Sequence, residues 1–231
     1  MVGEVRYASG GALQCAVGGG AGRGRSAGGE EAVIPLLVLV LVFALVPQAA
    51  AHPEPPRPAK LQRSVSNQAI KNFTLTDQRG QPFESAKLKG KIVVVGFGYT
   101  TCPDVCPLIT AAMRHVQDGL SSSEKSDVYF VTITTDPEID NPQVLAGYAK
   151  RYAVDLTHWS FLTGNEALLK PVWQSFGVKA TRKARGLVDH TALTAVVDRA
   201  GVMKFAYHGT APEPKTILAD VRELLKGAAK P

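Results

Sequence analysis

Residues 91–107 read KIVVVGFGYTTCPDVCP, and the change of character within this stretch decides the fold. Residues 91–97 form a β-branched run without polar alternation, the pattern of a central strand covered on both faces. Residues 98–102 form a loop. Pro103 suits the first turn of a helix, where its fixed backbone angle is helical and its missing N–H costs nothing. The helix extends over residues 104–120. A nucleotide-binding α/β protein would need a glycine-rich phosphate loop at this strand-to-helix turn. Here the turn carries Cys102, Pro103, Cys106 and Pro107 instead, which moves attention from phosphate to sulfur.

Working outward, VYFVTIT at residues 128–134 is a second buried strand, and residues 141–152 are a helix beginning beside Pro142. Residues 159–162 make a short strand. Asn165 caps a third helix carrying Leu168, Leu169, Val172, Trp173 and Phe176. Residues 191–197 and 202–207, joined by a turn at 198–201, are an antiparallel hairpin, and residues 214–225 are the last helix. Upstream, Phe73, Leu75, the turn at 77–80 and Phe83 predict a small hairpin. This order predicts an α/β thioredoxin-like three-layer sandwich with an amino-terminal hairpin extension and an insertion before the final strand pair. The domain is expected over residues 70–228. Residues 52–69 precede it as a proline-containing tether, with four prolines at 53, 55, 56 and 58.

Residues 1–51 read as a leader. Residues 1–31 hold ten glycines and no strand or helix pattern, and residues 32–46 are an apolar run. Ala49 and Ala51 have the small-residue spacing of a signal cleavage site. The run is expected to be an export signal. The rival reading is a membrane anchor, although the run is short of the roughly 20 residues that cross a bilayer comfortably. Either way the domain is expected outside the cytosol, in a bacterial periplasm, soluble or anchored to the outer face of the inner membrane. The 231-residue chain has a net charge of +6, and the leader's charges cancel, so the whole excess belongs to the exported part. The basic residues are scattered, and the densest group is Lys179, Arg182, Lys183 and Arg185. No nucleic-acid partner is expected. That group is either a solvated loop or a docking patch for an acidic protein.

Three cysteines are too few for a disulfide scaffold, and Cys15 lies in the leader. Cys102 and Cys106 are four residues apart, which places both thiols on one side of a first helical turn, where the helix amino terminus favours thiolate charge. An inert disulfide is the alternative, but closing so short a loop stabilises a fold little, so reaction or ligation explains the pair better. Two thiolates favour a soft metal such as Cu(I), and holding Cu(II) calls for a harder donor. Of the five histidines, His190 is best placed, because a thioredoxin-like sheet brings its late loop over the helix with the cysteines. His115 is expected several turns along that helix, and His52, His158 and His208 are elsewhere.

The stretch FGYTTCPDVCP at residues 97–107 resembles the signature of the Sco/SenC family of copper-binding assembly factors for cytochrome c oxidase. The match continues through Asp136, Pro137, Asp140 and Pro142 to Val188, Asp189 and His190. The resemblance implies a metallochaperone in which Cys102, Cys106 and His190 bind copper, as Cu(I) and also Cu(II). The implied partner is the copper-bearing subunit of the oxidase or another cuproprotein, with a second periplasmic copper chaperone as a further candidate. Its role is to deliver copper to the binuclear copper centre or to keep that centre's cysteines reduced. The chain departs from the family in Thr101, where His is common, and in Ala195, where Tyr is common. The alternative is an exported thiol–disulfide oxidoreductase, with Cys102 and Cys106 as its redox dithiol. Against an enzyme of that kind, the spacing is CxxxC rather than CxxC, and Asp189-His190 stands where a proline would be expected.

Overall fold

The computed structural model describes residues 62–209 and 212–227. The leader, Cys15 and residues 52–61 of the tether lie outside the described residues.

The predicted central strand is β4 (Ile92–Gly98), and all seven of its residues are buried. It lies in the middle of an eight-stranded sheet formed with β1 (Gln62–Ala69), β2 (Thr74–Asp77), β3 (Pro82–Glu84), β5 (Val128–Thr134), β6 (Trp159–Thr163), β9 (Leu193–Val197) and β10 (Val202–His208). The strand order is β1-β10-β9-β4-β5-β6-β2-β3. β4, β5 and β6 run parallel, and β9 is antiparallel to β4. The period of two along β4 splits the core. Ile92 and Val94 pack with Ile109, Met113, Leu145, Tyr148 and Ile217 on one face. Val93, Val95 and Phe97 pack with Leu169, Val172, Trp173 and Phe176 on the other. The first face is therefore covered by α1 (Val105–Gly119), α3 (Pro142–Arg151) and α5 (Pro214–Gly227), and the second by α4 (Glu166–Ser175). This is the three-layer thioredoxin-like sandwich. A short α2 (Ser122–Lys125), closed by a Ser121–Glu124 capping box, had no counterpart in the sequence reading.

The amino-terminal hairpin forms as β2–β3 and extends the sheet by pairing β2 with β6. Two boundaries are corrected. Residues 62–69, expected as the end of the tether, form strand β1, antiparallel to β10. β1 is an edge strand with seven of its eight residues exposed and no apolar alternation, so periodicity could not reveal it. What fixes it lies far along the chain. Arg63 donates to both carboxylate oxygens of Asp220 in α5 at 2.7 and 2.8 Å, and its guanidinium lies 4.4 Å from the centroid of Phe205. The other correction is that residues 191–192 do not open the late strand, which starts at Leu193. Just before it, β7 (Ala180–Arg182) and β8 (Val188–His190) pair as a separate two-stranded hairpin. That hairpin is the predicted insertion.

Candidate metal centre

The carboxyl end of β4 runs into the cysteine loop at Gly98, and α1 starts so close to it that only glycine fits comfortably there. A Cβ on Gly98 would lie 3.0 Å from both Cβ and Sγ of Cys106. Asp104 occupies the N-cap position without a side-chain capping bond. The loop is held from behind by Asp140, which is fully buried. Its carboxylate accepts from the Thr100 amide at 3.1 Å, the Thr100 hydroxyl at 2.5 Å and the Thr134 hydroxyl at 2.6 Å. Burial pushes the Asp140 carboxyl up, and the threonine bonds oppose that rise.

Cys106, the second residue of α1, is 3% exposed, while Cys102 ahead of the helix is half-buried. Both are free thiols. A hydrogen bond from the Cys106 thiol draws the Cys102 thiol down to about 5, against the cost of burial and with help from the backbone amides of Cys106, Asp104 and Val105. The same bond, together with burial, pushes the Cys106 thiol up. The pair therefore presents a thiolate at Cys102 backed by a buried thiol.

His190 closes the small hairpin from the other side. Its Nε2 lies 3.5 Å from Cys106 Sγ, and its Nδ1 lies 3.1 Å from the Thr191 carbonyl oxygen. A carbonyl only accepts, so Nδ1 carries the hydrogen and Nε2 turns its lone pair toward the sulfur. Burial lowers the imidazole pKa, which favours this neutral form. Cys102, Cys106 and His190 thus meet pairwise through Cys106. Among the described residues, no three His, Cys, Asp or Glu side chains are already set as a closed metal cage.

The residue that couples the two halves is Tyr99, to which the sequence reading assigned no role. Its amide donates to Cys106 Sγ at 3.4 Å, its hydroxyl accepts the Val188 amide at 3.2 Å, and its ring meets His190 edge-on at 5.8 Å and 82°. Tyr99, Cys106 and Val188 form a small core of their own, against which Cys102, Val105 and Ala180 pack. Arg182 anchors the outer strand of the hairpin through ion pairs to Asp136 and, at 3.2 Å, to Glu138. Within the basic group, then, Arg182 is committed internally, while Lys179 and Lys183 are exposed. Asp189 is exposed as well. Of the other histidines, His115 is an exposed α1 residue bonded to its own helix at Ala111, His158 precedes β6, and His208 ends β10. None of these is brought to the cysteines.

Residues 62–226 match the family described as SCO1/SenC. A SCO2-like protein of Rickettsia felis is 33% identical over 185 residues, covering 75% of this chain and 84% of its own. The solved structure of BsSco is described as that of a member of the Sco family of cytochrome c oxidase assembly proteins with a disulfide switch. It superposes with a TM-score of 0.61 at 29% identity, over 71% of this chain and 96% of its own. Yeast Sco1 with copper bound superposes with a TM-score of 0.59 at 26% identity, over 71% of this chain and 91% of its own.

Proposed function

The chain belongs to the SCO1/SenC family, and from that premise we propose that it is a copper metallochaperone serving cytochrome c oxidase, with Cys102, Cys106 and His190 as the copper donors. The observation that carries this reading is the position of Cys106, which packs against Cys102 and faces the Nε2 lone pair of His190 at 3.5 Å. Two soft sulfurs suit Cu(I), and the imidazole adds the borderline donor that Cu(II) needs. Copper is cargo here. A partner offering more or better-placed ligands takes it by ligand exchange, and the half-buried Cys102 is the donor that a partner reaches first. The recipient is the copper-bearing subunit of the oxidase or another cuproprotein, met outside the cytosol, and a second copper chaperone supplies the ion. No described helix is long and apolar enough to cross a membrane, and the apolar run at 32–46 lies outside the described residues.

The test is a copper titration of the reduced protein with Cys102→Ser, Cys106→Ser and His190→Ala alongside. One copper per chain in the parent, with weakened binding in all three variants, is the expected result. Undiminished one-to-one binding after loss of His190 overturns the three-donor site.

A second reading is favoured by one specific observation, the unequal thiols. A thiolate at Cys102 over a buried thiol at Cys106 is the arrangement of an attacking and a resolving cysteine. Cys102 would attack a partner disulfide, form a mixed disulfide and release one partner thiolate. Cys106, losing its proton, would then attack Cys102 sulfur and release the second partner thiol. The partner would be reduced and this chain left with a Cys102–Cys106 disulfide. Rapid reduction of partner disulfides without copper binding would shift the assignment to this oxidoreductase.

A further inference from the structure

The two sulfurs of the candidate centre are not held alike. Cys106 is the second residue of α1 and is fixed by that helix. Cys102 precedes the helix and closes a turn, its amide donating to the Tyr99 carbonyl at 3.3 Å. Thr100 and Thr101 are the two central residues of that turn, and neither is buried, so packing does little to order them. The anchor of the turn is Asp140, whose carboxylate takes both the amide and the hydroxyl of Thr100. Asp140 is fully buried, and among the described residues its carboxylate bonds only to Thr100 and Thr134 and pairs with no basic side chain. A carboxylate without a counter-ion is costly to bury, and hydrogen bonds to its charged form offset that cost. Asp140 is itself firmly placed. Its amide donates to the Asp136 carbonyl at 3.0 Å, the Thr134 that it engages ends β5, and its neighbour Asn141 caps α3 by accepting the Val144 amide at 3.0 Å.

We infer that Asp140 is the positioning residue of the dithiol: through Thr100 it orients the turn at 99–102 and so sets where the Cys102 sulfur stands relative to Cys106. The use of that placement in holding copper rests on the function proposed above. Thr100 presents an N–H and an O–H side by side, and the two oxygens of one carboxylate accept both. An ion bound by two sulfurs needs both at one point, and groups behind the donors govern affinity by holding them there. Without the Thr100 bonds, Cys106 keeps the Tyr99 amide and its helix, and His190 keeps the Thr191 carbonyl. Cys102 alone is left to its backbone turn.

The experiment compares Thr100→Val, which keeps the shape and removes the hydroxyl, with Thr100→Ser, which keeps the hydroxyl. Asp140→Ala and the Thr100→Val/Asp140→Ala double variant stand beside them. Cu(I) affinity is read by competition against a chromophoric chelator, and hydrogen exchange of the Cys102 amide is read in the reduced, copper-free protein. Binding should weaken about threefold in Thr100→Val and about tenfold in Asp140→Ala, with the double variant no weaker than Asp140→Ala alone. Thr100→Ser should bind as the parent does, and Cys102 exchange should quicken wherever binding weakens. Arg63→Ala, which unfastens the β1 edge, is the stability control, and its Cu(I) affinity should equal the parent's. Parental affinity in Thr100→Val, additive losses in the double variant, or an equal loss in Arg63→Ala overturns the inference. Thr100→Val leaves the buried Asp140 in place, so it decides the matter even where Asp140→Ala fails to fold. Failure of the metallochaperone reading looks different. Cys102 exchange that quickens in Thr100→Val but not in Thr100→Ser, in proteins that bind no copper, leaves the positioning role standing and removes the metallochaperone; copper binding with Cys102 exchange unmoved does the reverse.

Discussion

Cys106 is the residue at which the candidate donors meet, and Cys102 is the more exposed of the two thiols. Because the buried Cys106 donates to it, Cys102 keeps its thiolate down to about 5. An ordinary thiol loses its thiolate below about 8.5. The group's charged form is favoured by folding, so reactivity is present above that low value and falls as the pH drops through it. Alkylation by iodoacetamide, located by mass spectrometry, should label Cys102 at a rate nearly flat from pH 7 to pH 9, leaving Cys106 protected. A rate that climbs about tenfold per pH unit over that range would contradict the lowered Cys102 thiol. For His190→Ala, loss of the harder donor should remove stoichiometric Cu(II) binding. Cu(I) affinity should fall only about tenfold, since the two sulfurs remain. Competition against a chromophoric Cu(I) chelator measures the second effect, and the thiolate-to-Cu(II) absorption band measures the first.

Two elements, the β4–α1 loop and the β7–β8 hairpin, have to stay in register for these residues to meet. Gly98 sets how closely the end of β4 approaches the start of α1. Gly98→Ala places a methyl 3.0 Å from Cys106 and should push the start of α1 outward, costing about 1–3 kcal/mol in urea unfolding and weakening copper binding more than an alanine elsewhere in β4. Tyr99 sets the alignment of the two elements. Tyr99→Phe leaves the ring against His190 but removes the acceptor of the Val188 amide, a loss of about 0.5–1.5 kcal/mol. Its mark should be faster hydrogen exchange at Val188. The legibility of the site follows the same division. β4, β5, α1 and the cysteine pair were readable because a continuous apolar run and an abrupt change to cysteine and proline are local signals. His190 was readable from topology. Tyr99 and Arg182 were not, because their roles depend on partners far along the chain, Val188 and Asp136, and residue type alone does not announce such pairings. β7 and β8 escaped for a related reason, being three-residue strands whose only partners are each other.

Across the whole molecule, the sheet holds the site at one end of its parallel strands, and its outer edge is closed by β1. The edge is fastened where Arg63 meets Asp220, which also accepts the Tyr207 hydroxyl. Asp220 is 6% exposed, so Arg63→Ala strands a buried carboxylate and should cost about 2–4 kcal/mol in urea unfolding, with β1 amides exchanging first. Arg63→Lys, keeping the charge but not the fork, should fall between. The site lies away from this edge, so copper stoichiometry should survive either change. The account stands on copper being held by two sulfurs and one imidazole. Copper K-edge X-ray absorption of the loaded, reduced protein reads that donor set directly. Two sulfur scatterers and one imidazole nitrogen are predicted for the parent, with the imidazole signal lost in His190→Ala. A spectrum without imidazole in the parent, or one unchanged by His190→Ala, would contradict it.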